Sequence, residues 1–258
     1  MKNANHSISL LLVLSGLCAA AAHADQWDST DDQPVKSRDL TQGSDEAHDL
    51  AARPGPLADV DWSRMPLDAY SSYEVTVDGV SSLVHPIQLA RFDSSATSLL
   101  QTGAAPNGAG GSSRVLEWSN GNSATFSTIR VQGAACGATC GKDAVYRIRA
   151  AETTIAIPRY DNIGTKTTTL AIQNLRPTAR TITVYFWSHM GVLQTGSTTT
   201  FTLPAHGSTN MATWMTTISS GTITVAHDAG YGGLAVKATT TDSSTGNSFD
   251  SIGTFKPR

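Results

Sequence analysis

From Arg180 the chain reads R-T-I-T-V-Y-F-W, with Ile182, Val184 and Phe186 alternating with Thr183, Tyr185 and Trp187. A period of two sends neighbouring side chains to opposite faces of an extended chain, so this stretch predicts a half-buried strand with an aliphatic face and a threonine-aromatic face. Gly191 punctuates it, and Thr198 to Leu203 reads as a returning strand. A β-branched, aromatic run of this kind needs an antiparallel partner and a second sheet over its apolar face.

The same alternation recurs along most of the chain. Before residue 153 it predicts short strands at Ala58 to Trp62, Ser72 to Val77, Ile87 to Phe92, Arg114 to Trp118, Thr125 to Gln132 and Ala144 to Ala150, separated by Gly, Asn and Ser. Ahead of them, Asp39 to Gln42 and Glu46 to Leu50 flank Gly43-Ser44 and read as a weak hairpin. From Thr153 the texture changes: about eight strand candidates follow within roughly a hundred residues, divided by turns such as Asn162-Ile163-Gly164 and Asn174-Leu175-Arg176-Pro177. The expected fold class is all-β, with two β-sandwich domains at 39–153 and 154–258 behind an acidic leader at 25–38.

Composition narrows the setting. The chain has 258 residues, 40% hydrophobic and 15% charged, in the range of globular proteins. Lys and Arg number 18 against 21 Asp and Glu, a net of −3, and no basic surplus exists for phosphate contacts, which argues against nucleic acid as a partner. Met1 to Ala24 carries Lys2, an apolar core from Ile8 to Leu17 and Ala22-His23-Ala24, the pattern of a signal peptide cut after Ala24. That core of about ten residues falls short of the ~20 that span a bilayer, so no transmembrane span is expected and the mature chain is expected to be secreted or periplasmic. In an oxidising compartment Cys136 and Cys140, an isolated pair in C-G-A-T-C, are expected to form a disulfide.

The first half resembles the bacterial pre-peptidase C-terminal domain, a small secreted β-sandwich appended to exported proteases and other hydrolases. The residues that carry the resemblance are the acidic start at Asp28, Asp31 and Asp32, then Gly43 and Asp59-x-Asp61-Trp62 opening a strand. They continue with Y-E-V-T-V at Tyr73, the run from Gln88, Ser113-Arg114-Val115 and T-I-R-V at Thr128, covering about residues 28 to 153. The chain departs from the family in its Cys136–Cys140 loop and in a Gly-rich insert at Thr102 to Ser113. The second half looks like the immunoglobulin-like modules of secreted bacterial proteins, on L-A-I-Q-N-L-R-P-T-A-R-T-I-T-V-Y-F-W followed by F-T-L-P-A-H-G-S. The first resemblance implies attachment to insoluble polymers such as collagen or chitin.

Candidate chemistry is sparse. The sequence contains no H-E-x-x-H, no G-x-S-x-G and no phosphate-binding glycine loop, and its histidines are scattered singly, so no catalytic residue is nominated and the chain is read as a non-enzyme needing no cofactor. Asp28, Asp31, Asp32, Asp59 and Asp61 offer the hard oxygen ligands that Ca²⁺ takes, typically ~6–8 of them, and structural calcium is the one metal they could serve. In that reading the Asp-rich start holds the ion; in the plain one an Asp of D-x-D-W caps a turn and Trp62 packs in the core. Tyr185, Trp187, His227, Asp228 and Tyr231 are the candidate ligand contacts, the first two lying either exposed or between the domains. Against this, Asp228 in A-H-D-A-G-Y-G-G reads equally as a turn residue bonding backbone amides. The functional expectation is a binding or adhesion protein of the cell exterior, attached to a polysaccharide or fibrous protein. The alternatives are a structural or assembly factor and a hydrolase of unrecognised type.

Overall fold

The computed structural model describes residues 31–50, 59–80, 86–106, 112–133, 144–213 and 220–255. The signal peptide, Asp28 and the Cys136–Cys140 pair lie outside the described residues. The fold is all-β, and the described strands form four sheets.

Two sheets belong to residues 38–152. Their strands are β1 (Arg38–Asp39), β2 (Asp45–Asp49), β3 (Val60–Leu67), β4 (Ser72–Gly79), β5 (Ile87–Phe92), β6 (Leu99–Thr102), β7 (Ser113–Ser119), β8 (Thr125–Gly133) and β9 (Val145–Glu152). Sheet A has the order β1-β3-β8-β5-β6 and sheet B the order β2-β9-β4-β7. Alternate residues of both, including Met65, Leu67, Val75, Val77, Leu89, Leu116, Ile129, Val131, Tyr146 and Ile148, meet in one buried cluster. Each such side chain taken from water contributes about 1.5–3 kcal/mol, which is what presses the sheets together.

Residues 155–255 form the second pair, from β10 (Ile155–Asp161), β11 (Lys166–Asn174), β12 (Arg180–Ser188), β13 (Thr199–Leu203), β14 (Ser208–Ala212), β15 (Ser220–His227), β16 (Leu234–Asp242), β17 (Ser248–Ile252) and β18 (Thr254–Phe255). Sheet C runs β13-β12-β15-β10-β18 and sheet D runs β14-β11-β16-β17. Ile182, Val184 and Phe186 of β12 do point inward, joining Ile155, Ile157, Leu170, Ile172, Ile223, Val225 and Val236 in a second core. The returning strand is β13, paired antiparallel with Ile182 opposite Phe201.

Three local expectations are corrected. Residues 39–50 make no hairpin: β1 runs parallel to β3 in sheet A, whereas β2 pairs antiparallel with β9 in sheet B. Gly43, at φ 76, turns the chain from one sheet to the other and its amide bonds the Ala150 carbonyl at 2.9 Å. Trp62 is buried, but outside the main core. Its parity is opposite to that of Met65, and it packs on the outer face of sheet A with Phe92 at 5.3 Å and the Arg130 guanidinium at 5.7 Å. Finally, the leader enters the sandwich, since the Trp62 amide bonds the Asp31 carbonyl at 2.7 Å and the Leu40 amide that of Arg64 at 2.7 Å, covering the edge of β3.

Only Thr153 and Thr154 separate β9 from β10, and both are buried. The Thr153 amide bonds the Ser72 carbonyl at 2.7 Å and the Thr154 hydroxyl accepts the Ser72 amide at 2.9 Å. The connection is therefore sewn to the start of β4, and the two sandwiches meet there.

Candidate functional site at the junction of the two sandwiches

One end of the junction is charged. Glu74 on β4 and Glu117 on β7 stand directly opposite each other on the outer face of sheet B, with only 8% and 10% of their side chains exposed. Like charges placed so are mutually destabilising, and burial raises the cost. The second sandwich supplies the answer: Arg176 reaches Glu117 at 3.1 Å and Glu74 at 3.8 Å, and Arg180 reaches Glu117 at 2.9 Å. Both guanidinium groups are aimed from behind by carbonyls, Arg176 Nε donating to Ala229 at 2.7 Å and Arg180 to Asp228 at 2.7 Å. The Tyr231 amide adds a bond to Glu74 at 3.0 Å. Burial raises the Glu117 pKa and the charge of Glu74 adds to that, while Arg180 and Arg176 pull it down.

The loop that brings these groups in depends on Gly230. Its φ is +66, and a Cβ there would collide with Glu117, Glu74 and Arg176. Asn174, fully buried at the end of β11, shapes the arginine loop: its side-chain amide donates to the carbonyls of Thr178 at 2.8 Å and Pro204 at 2.9 Å, and its oxygen accepts the Arg176 amide at 2.9 Å. His227 sits behind the same loop without exposure, its Nδ1 accepting the Ala229 amide at 3.2 Å. Burial drives its pKa down to about 4, and the charges of Arg176 and Arg180 act in the same direction against a bond with the Thr153 backbone.

The other end is aromatic. Tyr70 stands at the corner where the chain leaves β3 for β4, and its ring meets Tyr185 at 4.9 Å and Trp187 at 5.3 Å, both edge-on. Its φ is 62, the left-handed region that a bulky side chain rarely occupies. The corner is held there by the Tyr70 amide on the Gly121 carbonyl at 2.6 Å, the Asn120 amide on Ser71 at 2.6 Å and the Asn120 side chain on Asp68 at 2.6 Å. Beneath it the Tyr73 hydroxyl accepts the Asp68 amide at 2.5 Å. Burial pushes the Tyr73 pKa up to about 12, with the charges of Glu152 and Asp68 adding to it.

Beside these rings a cleft of about 480 Å³ opens between the sandwiches, lined by Asp68, Tyr70, Glu152, Trp187, Thr224 and Phe255 among others. Its floor is the outer face of sheet C, which continues past the cleft as a threonine surface. Thr181 and Thr183 lie opposite Thr202 and Thr200 across β12 and β13, with the Thr183 and Thr200 hydroxyls 3.0 Å apart.

The residues singled out from the sequence thus separate into distinct roles. Tyr185 and Trp187 are brought together under Tyr70 and form the aromatic end of the junction, while His227, Asp228 and Tyr231 belong to the loop at the charged end. Asp228 accepts the Thr181 amide at 2.8 Å, as a turn aspartate does. Asp61 is buried and accepts the Tyr146 hydroxyl at 2.5 Å, and Asp59 is buried and accepts the Val60 amide at 3.0 Å. Among the described residues no three His, Cys, Asp or Glu side chains are grouped to hold a metal ion, and Asp28 lies outside those residues. Sequence reasoning missed Glu74 and Glu117, whose outward positions on regular strands carry no mark of burial, and it missed Arg176, Arg180 and the cleft.

No protein-family model matches this sequence, and neither does any curated protein. Among solved structures, the chain is similar to the pre-peptidase C-terminal domain of a collagenase from Bacillus anthracis, with 10% identity over 44% of this chain and 92% of that one and a TM-score of 0.33. It is also similar to Bacteroides uniformis β-glucuronidase 2, with 10% identity over 75% of this chain and a TM-score of 0.18, spanning 26% of that enzyme. At scores this low neither likeness carries function.

Proposed function

We propose that this chain is a non-catalytic binding protein of the cell exterior, in which two sandwiches joined through the hydrogen-bonded Thr153–Thr154 connection present one broad face to an extracellular polymer. The single observation that supports this reading is the outer face of sheet C. Thr181, Thr200, Thr202 and Thr222 are exposed there, Thr183 and Thr224 are half-buried, and the pleat sets them in rows beside Trp187. Rows on neighbouring strands lie ~4.8 Å apart, a regular grid of hydroxyls on a stiff support suited to the repeating hydroxyls of a polysaccharide. A rigid site keeps the ordering cost of binding low. In this proposal the mature chain reaches the exterior after loss of Met1–Ala24, and its second sandwich is the immunoglobulin-like one.

Sedimentation with insoluble cellulose, chitin and fibrous collagen tests the reading. Retention on a polysaccharide is expected, and a Thr200→Ala/Thr202→Ala variant that stays folded should lose most of it. Repeating the assay with chelator separates retention by this face from any that depends on calcium held by Asp28 with Asp31, Asp32, Asp59 and Asp61. No retention on any polymer, with capture of a specific protein instead, would replace this reading by that of an assembly factor.

A further inference from the structure

We propose that the cleft between the sandwiches binds an organic ammonium group, the cationic head of an alkylamine or quaternary amine. The inference goes beyond polymer attachment and does not require it, because the cleft and the Thr200–Thr202 end of sheet C are different places on the molecule.

Three kinds of observation converge. The first is charge: Asp68 and Glu152 line the cleft, and none of the described residues that line it is Lys, Arg or His. The second is the aromatic wall. Tyr70, Trp187 and Phe255 all line the cleft, and ring faces attract cations through their quadrupoles, most strongly where water is excluded. Trp187 is fixed in place because its indole N–H is bonded to the Thr224 hydroxyl at 3.0 Å, and Tyr70 is fixed by the corner that holds it at positive φ.

The third is the use of hydrogen-bond donors. The Trp187 indole is spent on Thr224, the Ser71 hydroxyl donates to Ala69 at 3.3 Å and the Thr254 hydroxyl to Ala156 at 3.5 Å. Three of the lining donors are thus committed within the protein, and the remaining hydroxyls, of Tyr70, Thr154 and Thr224, can each accept as well as donate. A neutral sugar needs donors as well as acceptors, whereas an ammonium group needs acceptors and rings alone. The strained Tyr70 fits the same picture, since backbone strain persists where the surroundings enforce a geometry for use. At about 480 Å³ the cleft lies within the ~300–1,000 Å³ typical of small-molecule sites, with room for an alkyl body behind the head.

Titrations of the full chain at constant ionic strength test this, following the Trp187 indole signal in nitrogen–proton correlation spectra, assigned with Trp187→Phe. The probes are tetramethylammonium, choline, Nα-acetyl-lysine amide, the uncharged tert-butyl isostere of choline, and cellobiose. Saturable shifts with the cations are expected, with the neutral isostere weaker by about tenfold. Preference for choline over the lysine derivative would identify a quaternary source, and the reverse a protein side chain; both support the site. Asp68→Asn, at an exposed position, should weaken the cations by roughly three- to tenfold and leave the isostere unchanged. Glu152→Gln should do the same if near-ultraviolet dichroism shows it folded. Equal affinity for choline and its isostere, saturation by cellobiose alone, no saturable shift with any amine, or cation binding unchanged in Asp68→Asn would overturn the proposal. The Thr200→Ala/Thr202→Ala chain should bind amines as the parent does, which keeps failure of the polymer reading apart from failure of this one.

Discussion

The two ends of the junction solve one problem, joining two sandwiches, by different chemistry. At the charged end Glu74 and Glu117 are neutralised by Arg176 and Arg180, each backed by a carbonyl. At the aromatic end a single tyrosine from the first sandwich rests on two rings of the second, and a cleft remains beside them. Ion pairs with buried carboxylates are directional and intolerant of a missing partner, whereas ring packing tolerates small shifts. The charged end therefore sets the angle between the sandwiches, and the aromatic end can carry an opening at that angle.

Removing the arginines should break this contrast most severely. In an Arg176→Ala/Arg180→Ala variant the two carboxylates keep their burial and lose their cationic partners, and a loss of about 3–5 kcal/mol is expected in urea unfolding. The transition should also split, as each sandwich unfolds alone; a single transition at the parental midpoint would mean that the charged end is dispensable. His227 gives the next effect. Its folded pKa of about 4 lies below the ordinary 6.5, so the unfolded chain binds the extra proton between those values. Stability should then fall as pH drops from about 6.5 to about 4 and lose at most about 3 kcal/mol from this group, with no further loss from it below. Urea titrations across that range should show a shallower decline in His227→Gln. The smallest effect belongs to the aromatic end. Tyr70→Ala should cost about 1–2 kcal/mol, the worth of the edge-on ring packing, because alanine keeps the Cβ and with it the strain at positive φ, with one transition retained. A split transition in that variant would reverse the assignment of roles.

How far the sequence foretold this differs from residue to residue. The strand around Val184 was legible because alternation is local: each side chain's face follows from its neighbours, and β12 runs Arg180–Ser188 where the pattern lies. The turn after Asn174 was legible as a turn. Its purpose was not, because the carbonyl of Pro204 that Asn174 holds is thirty residues away. Glu74 and Glu117 were hidden for a related reason. Both occupy outward positions, correct for charged residues on a single sandwich, and only the docking of the second one buries them. Tyr70 left no trace either, as positive φ at D-A-Y-S comes from bonds to Gly121 and Asn120 in another turn. The weak hairpin failed because Gly43 looks the same whether it returns a strand on itself or hands the chain to the opposite sheet.

The two threonines between β9 and β10 bear on how such a molecule would behave under mechanical tension. A flexible tether lets one module swivel while its neighbour stays still, so a tug on one is dissipated before reaching the other. Here Thr153 and Thr154 are pinned to Ser72 from both sides, leaving no slack to take up. A pull applied to the face formed by β12 and β13 would pass straight into the middle of sheet B, and the pair would yield together or not at all.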